Sequence, residues 1–412
     1  MTLGQRPEAA LRLFAPCPRG LEDALADELI GLGASIVARP AGGVEFDGDR
    51  ALAYRANLHS RLASRILLRI ANGPYGDESD LYRIASAHPW EHVFRHDQTL
   101  RIDVSAIRSP LTSLNFATLR VKDAIVDRMR NATGDRPSID THRPDVRVFA
   151  FLDANNATLY LDLSGEALFK RGWRQREDKG EAPLKENLAA GLLALSGWTP
   201  EAPLYDPFCG SGTIIIEAAQ HALGIAPGVS RHFGFENLAD FDADLWSTLR
   251  SDALRRIRPA SAPLPIAGAD IDPRAIAQAR LNLSRAGVGA DTIALECRDF
   301  TGSKAPFEQP GFIVCNPPYG ERMDFEGAAE GGGFAGFGAT LREGFAGWRA
   351  CVLTSDRALP RQLGMKERRK WPLFNGAIEC RMFVFDIFAP GTAPRRNRNP
   401  APDAAGGDAA ER

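Results

Sequence analysis

Two short segments carry residue types that could do chemistry: Asp206-Pro-Phe-Cys-Gly-Ser-Gly-Thr213 and Asn316-Pro-Pro-Tyr319. The second suits amine activation. An exocyclic amine on a nucleobase is a poor nucleophile, because its lone pair is delocalised into the ring. The Asn316 side-chain oxygen and the Pro317 carbonyl, held by consecutive prolines, can accept both amine protons and turn that lone pair toward an electrophile. Tyr319 can stack on a base flipped out of its helix or loop. The competing reading is a rigid strand-end turn, since Pro-Pro stiffens any loop.

In the first segment Gly210 and Gly212 stand where a strand turns into a helix, so backbone can approach a ligand with no Cβ in the way. The third glycine of a dinucleotide fingerprint is absent. Asp206 ahead of the loop suits the amino group of a methionine moiety better than a pyrophosphate. Gly268-Ala-Asp270-Ile-Asp272 ends the next strand, where Asp270 can accept hydrogen bonds from two ribose hydroxyls. Asp272 before Pro273 reads as a helix N-cap. Asp299-Phe300 offers a carboxylate for an adenine amino group and a ring for its face, although as an isolated pair it would be an ordinary turn.

These segments need a sheet to hold them. From Asn187 onward strands alternate with helices: PLYD, a helix over 212–224, PIAGAD, a helix over 273–287, TIALEC, FIVC, a helix near 338–346, RACVLTS and AIECRMFVFDIF. Such alternation predicts an α/β, Rossmann-like, doubly wound sheet. Residues 225–262 interrupt it, and their Phe233, Phe235, Phe241 and Trp246 are expected to form a satellite core. The segment 164–188 is the natural hinge. Lys170, Arg171, Gly172, Trp173, Arg174, Gln175 and Arg176 read either as an exposed linker or as a basic strand guiding nucleic acid toward the cleft. Ahead of it, Leu11 to about residue 60 reads strand, helix, strand, helix. RILLRIANG, LYRIASAH, TLRIDVSAI and the long helix around 115–134 follow. VRVFAFLDANNATLYLDLSG then reads as two strands turning at Asn155-Asn156.

Bulk properties exclude several classes. The 412 residues predict more than one domain, and 44% hydrophobic with 25% charged residues is ordinary globular composition. No apolar run is long enough to span a bilayer, and Arg6, Glu8 and Arg12 do not make a signal peptide, so an unexported, soluble, cytoplasmic protein is expected. Six scattered cysteines give neither a metal site nor a disulfide framework. Net charge is −2, yet residues 50–180 hold 21 basic against 16 acidic side chains between two acidic segments. That excess allows nucleic-acid binding without requiring it.

Asn316-Pro-Pro-Tyr-Gly-Glu-Arg322, Lys170-Arg-Gly-Trp-Arg174, Ala182-Pro-Leu-Lys-Glu-Asn187 and the Asp206–Thr213 segment together resemble the THUMP-containing class I rRNA large-subunit guanine-N2 methyltransferase family. The likeness covers about residues 10–390. It implies S-adenosylmethionine as cofactor and RNA as partner, with an N-terminal ferredoxin-like unit (1–60), a THUMP domain (61–165), a methyltransferase domain (166–390) and a disordered tail (391–412). It also implies catalysis by Asn316, Pro317 and Tyr319. The implied cofactor contacts are Asp206, Phe208, Gly210, Gly212, Thr213, Asp270, Ile271, Asp299, Phe300 and Asn316. Arg120, Lys122, Arg171, Trp173 and Arg174 are the expected RNA contacts. Neither metal nor membrane is expected, and the chain is expected to be a monomer. Some family members continue into a second methyltransferase domain where this sequence stops, so one methylation is expected. Methylation of adenine N6 or of a protein glutamine would use the same Asn-Pro-Pro-Tyr geometry, and a non-catalytic RNA-binding role is the remaining alternative.

Overall fold

The computed structural model describes residues 10–175, 184–259, 261–318 and 334–389. The first half contains β1 (Leu11–Pro16), α1 (Glu22–Gly31), β2 (Ser35–Ala38), β3 (Gly43–Gly48), α2 (Arg50–His59), β4 (Leu67–Pro74), α3 (Glu78–Ser86), β5 (Thr99–Ala106), α4 (Leu114–Thr133), β6 (Ser138–Ile139), β7 (Val146–Leu152) and β8 (Asn156–Asp162). Val146-Arg-Val-Phe-Ala-Phe-Leu152 buries every second residue, as the two-residue period of a half-buried strand demands. The helices start where side chains satisfy the first free N–H groups: Asp49 caps α2, Asp77 caps α3 and Ser113 caps α4. The expected hairpin forms, with β7 and β8 antiparallel.

These strands do not make two separate sheets. The order is β2-β3-β1-β4-β8-β7-β5-β6, and β4 joins the two units by pairing with β1 on one side and β8 on the other.

The second half runs α5 (Glu186–Ser196), β9 (Leu204–Asp206), α6 (Thr213–Ala222), α7 (Ala243–Arg255), β10 (Ile266–Asp270), α8 (Pro273–Arg285), β11 (Ala294–Cys297), β12 (Phe312–Cys315), α9 (Phe334–Gly344), β13 (Arg349–Thr354), α10 (Leu359–Leu363), β14 (Arg369–Asn375) and β15 (Ile378–Asp386). The order β11-β10-β9-β12-β13-β15-β14 is parallel through β13 and closes with an antiparallel hairpin. The direction of strand succession reverses between β9 and β12. In open α/β sheets the ligand crevice lies at that switch point, outside the carboxyl ends of the strands.

Residues 225–262 are not a satellite. Phe233, Phe235 and Trp246 are buried, and Phe235 stacks on Tyr54 of α2 with centroids 4.1 Å apart. The insertion therefore joins one continuous core reaching from Leu13 to Met382, and it fixes the first half against the second. Among the described residues, no helix is long and apolar enough to cross a membrane.

Candidate functional site

The site is built at the carboxyl ends of β9, β10 and β12. Asp206, the last residue of β9, is 2% exposed and accepts the Phe208 N–H at 3.1 Å. Burial, with a smaller contribution from the nearby Asp270, pushes its carboxyl up to about 8. Gly210 and Gly212 both take left-handed backbone, at φ +52° and +90°. A Cβ on Gly212 would press on Ala279 of α8, whereas a Cβ on Gly210 would meet nothing within 4 Å, so Gly210 faces open space. Thr213 then begins α6.

Asp270 ties two turns together. One carboxylate oxygen accepts the Gly210 N–H at 2.9 Å and the other the Asp272 N–H at 3.0 Å, which fixes the carboxylate between the glycine loop after β9 and the turn after β10. Asp272 caps α8 with Pro273 in its first turn. Asn282, fully buried on α8, donates to the Ser211 carbonyl at 3.0 Å and so holds the glycine loop from behind. Sequence reading missed this residue, since one Asn in an amphipathic helix gives no signal.

Ile271 follows β10 with 59% of its surface exposed, an apolar face at the crevice rim. Asp299 is exposed and accepts the Thr301 N–H at 2.9 Å. Phe300 departs from expectation. Its ring is buried among Phe208, Phe337 and Phe345, with centroids 5.0–5.7 Å away, so it wedges the core under the site instead of offering a face to an adenine. A ring held on several sides by other rings gains more from burial than an exposed one could from stacking.

Asn316 follows β12 directly. The register pairs Ile313 with Tyr205, so Asn316 emerges beside the end of β9 across the switch point from the glycine loop. Pro317 is buried and Pro318 exposed. Tyr319 lies outside the described residues.

The basic hinge segment is the largest correction. Arg171 is 4% exposed and Trp173 2% exposed, so neither can guide RNA at the surface. Arg171 donates to Glu217 at 3.0 Å and to the carbonyls of Leu168 and Arg61. Arg174 lies against the Trp173 ring and turns inward, donating to the Thr213 hydroxyl at 2.5 Å, with Glu186 3.7 Å away. Thr213 and Glu217 stand four residues apart on α6 and share a face. Arg171 and Arg174 grip that face from either side of Gly172, which adopts φ +94° to make the bend. The segment thus clamps the helix that carries the glycine loop. The wrong reading had a physical source: four cations around a Trp look exposed unless one notices the buried acid at Glu217. Arg120 and Lys122 lie elsewhere, half-exposed on α4, where Arg120 covers the Tyr82 ring and Lys122 pairs with Asp123 at 2.7 Å.

Comparison with known proteins identifies three family models along the chain: the RlmL ferredoxin-like domain over residues 12–67, the THUMP domain over 75–162 and the RMKL-like methyltransferase domain over 171–383. A ribosomal RNA large subunit methyltransferase K/L of Syntrophotalea carbinolica is 42% identical over 388 residues, which is 92% of this chain and 54% of that protein. The chain spans about half the length of the curated K/L relatives it matches. A candidate RNA methyltransferase of Synechocystis is 39% identical over 376 residues, covering 91% of this chain and 96% of that one. Among solved structures, a candidate methyltransferase named SMU.472, complexed with SAH, superposes with a TM-score of 0.81 at 28% identity, covering 92% of this chain and 99% of the other.

Proposed function

The chain belongs to the RMKL-like methyltransferase family, and on that premise we propose that it transfers a methyl group from S-adenosylmethionine to the exocyclic N2 of a guanosine in RNA, with large-subunit ribosomal RNA as substrate. The observation that carries this reading is the juxtaposition, across one switch point, of the glycine loop after Asp206 and the Asn316-Pro317 turn. The THUMP match ahead of them favours RNA over a protein glutamine. The same proposal has the enzyme act as a cytoplasmic monomer. Nucleoside mass spectrometry of ribosomal RNA from a deletion strain tests it. Loss of N2-methylguanosine at one site is expected, and loss of N6-methyladenosine instead would overturn the choice of guanine.

The residues fit the cofactor. Asp206 is a buried carboxylate with no cationic partner among the described residues, suited to an ammonium group, and Gly210 opens onto free space beside it. Asp270 is oriented for ribose hydroxyls, and Ile271 and Asp299 stand at the rim for the adenine. When bound, S-adenosylmethionine supplies an activated methyl group. The chain's own part is to hold the amine: the Asn316 side-chain oxygen and the Pro317 carbonyl accept its two protons, and Tyr319 is assigned the face of the base from sequence alone.

Asp206 gives a proton-linkage prediction. Its folded pKa is raised above the ordinary carboxylate value near 3.9, so its contribution to ligand-free stability is full below about pH 4 and is lost as pH rises through about 8. An ammonium group beside it favours the ionised form and lowers its pKa. Binding of S-adenosylhomocysteine at pH 7 is therefore expected to release a large fraction of one proton. Calorimetry in buffers of different ionisation enthalpy measures this, and Asp206→Asn should abolish the buffer dependence.

The clamp gives another. Arg174→Ala removes a charge-assisted hydrogen bond to the first residue of α6, and S-adenosylhomocysteine affinity is expected to fall about tenfold. Calorimetry that shows wild-type affinity would separate the clamp from the cofactor loop.

A further inference from the structure

The end of the Ala182–Asn187 motif, whose Glu186 faces Arg174 of the clamp, also lines a cavity of about 430 Å³ formed where four segments meet. Cys17 and Arg19 come from the turn after β1, Ser64 from the segment after α2, Lys185 and Asn187 from the start of α5, and Phe374 from the end of β14. The walls are docked firmly. Gly20 lies so close to the Pro372 carbonyl that a Cβ there would come within 2.2 Å of it, and a Cβ on Gly191 of α5 would strike Leu21 at 2.4 Å. The cavity is thus a fixed junction between the two halves of the chain.

Its chemistry is specific. Arg19 and Lys185 are exposed cations at the rim, with the Arg19 guanidinium 5.6 Å from the centre of the half-buried Phe374 ring. Asn187 is fully buried, and its side-chain NH2 donates to the Leu62 carbonyl at 3.3 Å and the Ser64 hydroxyl at 3.1 Å. Because the Leu62 carbonyl can only accept, the amide cannot be turned round. Its carbonyl oxygen is left with no hydrogen-bond partner in a buried position. A buried acceptor without a donor is costly, which calls for an N–H-bearing occupant.

The register locates the cavity. β15 runs antiparallel to β13 with Arg381 opposite Thr354, so the β14–β15 turn lies beyond the carboxyl end of β13. Asn316 leaves the neighbouring strand β12 at that same end, with Cys315 opposite Val352. The cavity therefore opens at the same end of the sheet as the amine-holding turn.

We propose that this cavity takes one unpaired nucleotide of the substrate RNA, flanking the target. Phe374 stacks on its base, the Asn187 oxygen accepts an N–H from the base edge, and Arg19 and Lys185 hold its phosphates. An aromatic face with a basic rim is the chemistry of single-strand recognition. This deepens the RNA reading and depends on it.

The test uses the full chain, a short fluorescein-labelled single-stranded RNA and a blunt RNA duplex, read by anisotropy. Phe374→Ala is expected to weaken single-strand binding about tenfold, with Phe374→Tyr near wild type because the stacking face is kept. Lys185→Gln is expected to reduce the log–log salt slope for the single strand by about 0.7. Duplex affinity should stay unchanged in every variant, and unchanged S-adenosylhomocysteine affinity shows that the variants are folded. Wild-type single-strand affinity and salt slope in both Phe374→Ala and Lys185→Gln would overturn the nucleotide pocket while leaving the proposed methylation standing. A wild-type chain that binds neither RNA would overturn the pocket as well, and the deletion-strain measurement then decides the methylation separately.

Discussion

Replacing Asn316 by alanine is expected to slow methyl transfer by about a hundred- to a thousandfold while S-adenosylhomocysteine affinity stays within about threefold. Displacement at a sulfonium methyl needs no strong base, because the alkylated nitrogen becomes acidic and sheds its proton afterwards. What the amine needs is orientation. Asn316 leaves β12 beside the end of β9, on a turn stiffened by the buried Pro317, so its side chain is presented by a rigid strand end. In the proposed mechanism the bonds it would make to the amine strengthen as the nitrogen gives up its lone pair, and they would belong mostly to the transition state. The glycine loop and Asp270 stand on other strands, which is why cofactor affinity should survive. Asn316→Asp keeps an acceptor and loses the amide donor, so partial activity there would support the acceptor role. Single-turnover kinetics decide the matter: a wild-type transfer rate in Asn316→Ala would remove Asn316 from the mechanism.

The elements legible in the sequence were those whose pattern follows one physical rule. The parallel strands carrying Asp206, Asp270 and Asn316 stand out as short apolar runs ending at glycine, proline or an acid, and the structure brings those ends to one crevice. Edge strands were harder. Among the described residues β2 buries none of its four positions deeply, so it has no alternation to read. β14 contains Pro372 and two cations, which argue against a strand until one knows that it lies at the sheet edge, where a missing N–H costs little.

Side-chain roles were legible only where local geometry sets them. Asp272 as an N-cap follows from the Pro273 beside it. The direction in which Arg171, Trp173 and Arg174 point depends on what α6 presents to them. Local sequence cannot supply this, because the partners Glu217 and Thr213 lie about forty residues further on in the chain, at separations of 46 and 39. Composition gave a basic segment, and the tertiary fold turned three of its side chains inward.

The buried centre of that clamp carries the largest expected effect on stability. The Glu217 side chain has no solvent exposure and lies 3.0 Å from Arg171, whose side chain is 1% exposed, and 3.3 Å from Arg61, whose side chain is 15% exposed and which follows α2 in the first half of the chain. One carboxylate thus holds two guanidinium groups that would otherwise face each other out of water. Glu217→Gln keeps the shape and removes the charge, leaving both arginines without their nearest counter-ion. Losing one partner of a buried ion pair costs about 3–5 kcal/mol, because the charge left behind keeps its desolvation penalty. On a domain of this size that corresponds to a fall in Tm of roughly 10 °C. Neutral packing should repair much of the loss. In an Arg171→Met background one of the two stranded charges is already gone and Arg61 can reach water, so Glu217→Gln should cost at least about 1.5 kcal/mol less than it does alone. Additive losses in that double-mutant cycle would mean that Arg171 and Glu217 act independently, and the hinge segment would then lose its role as the bolt between the N-terminal sheet and the helix behind the glycine loop.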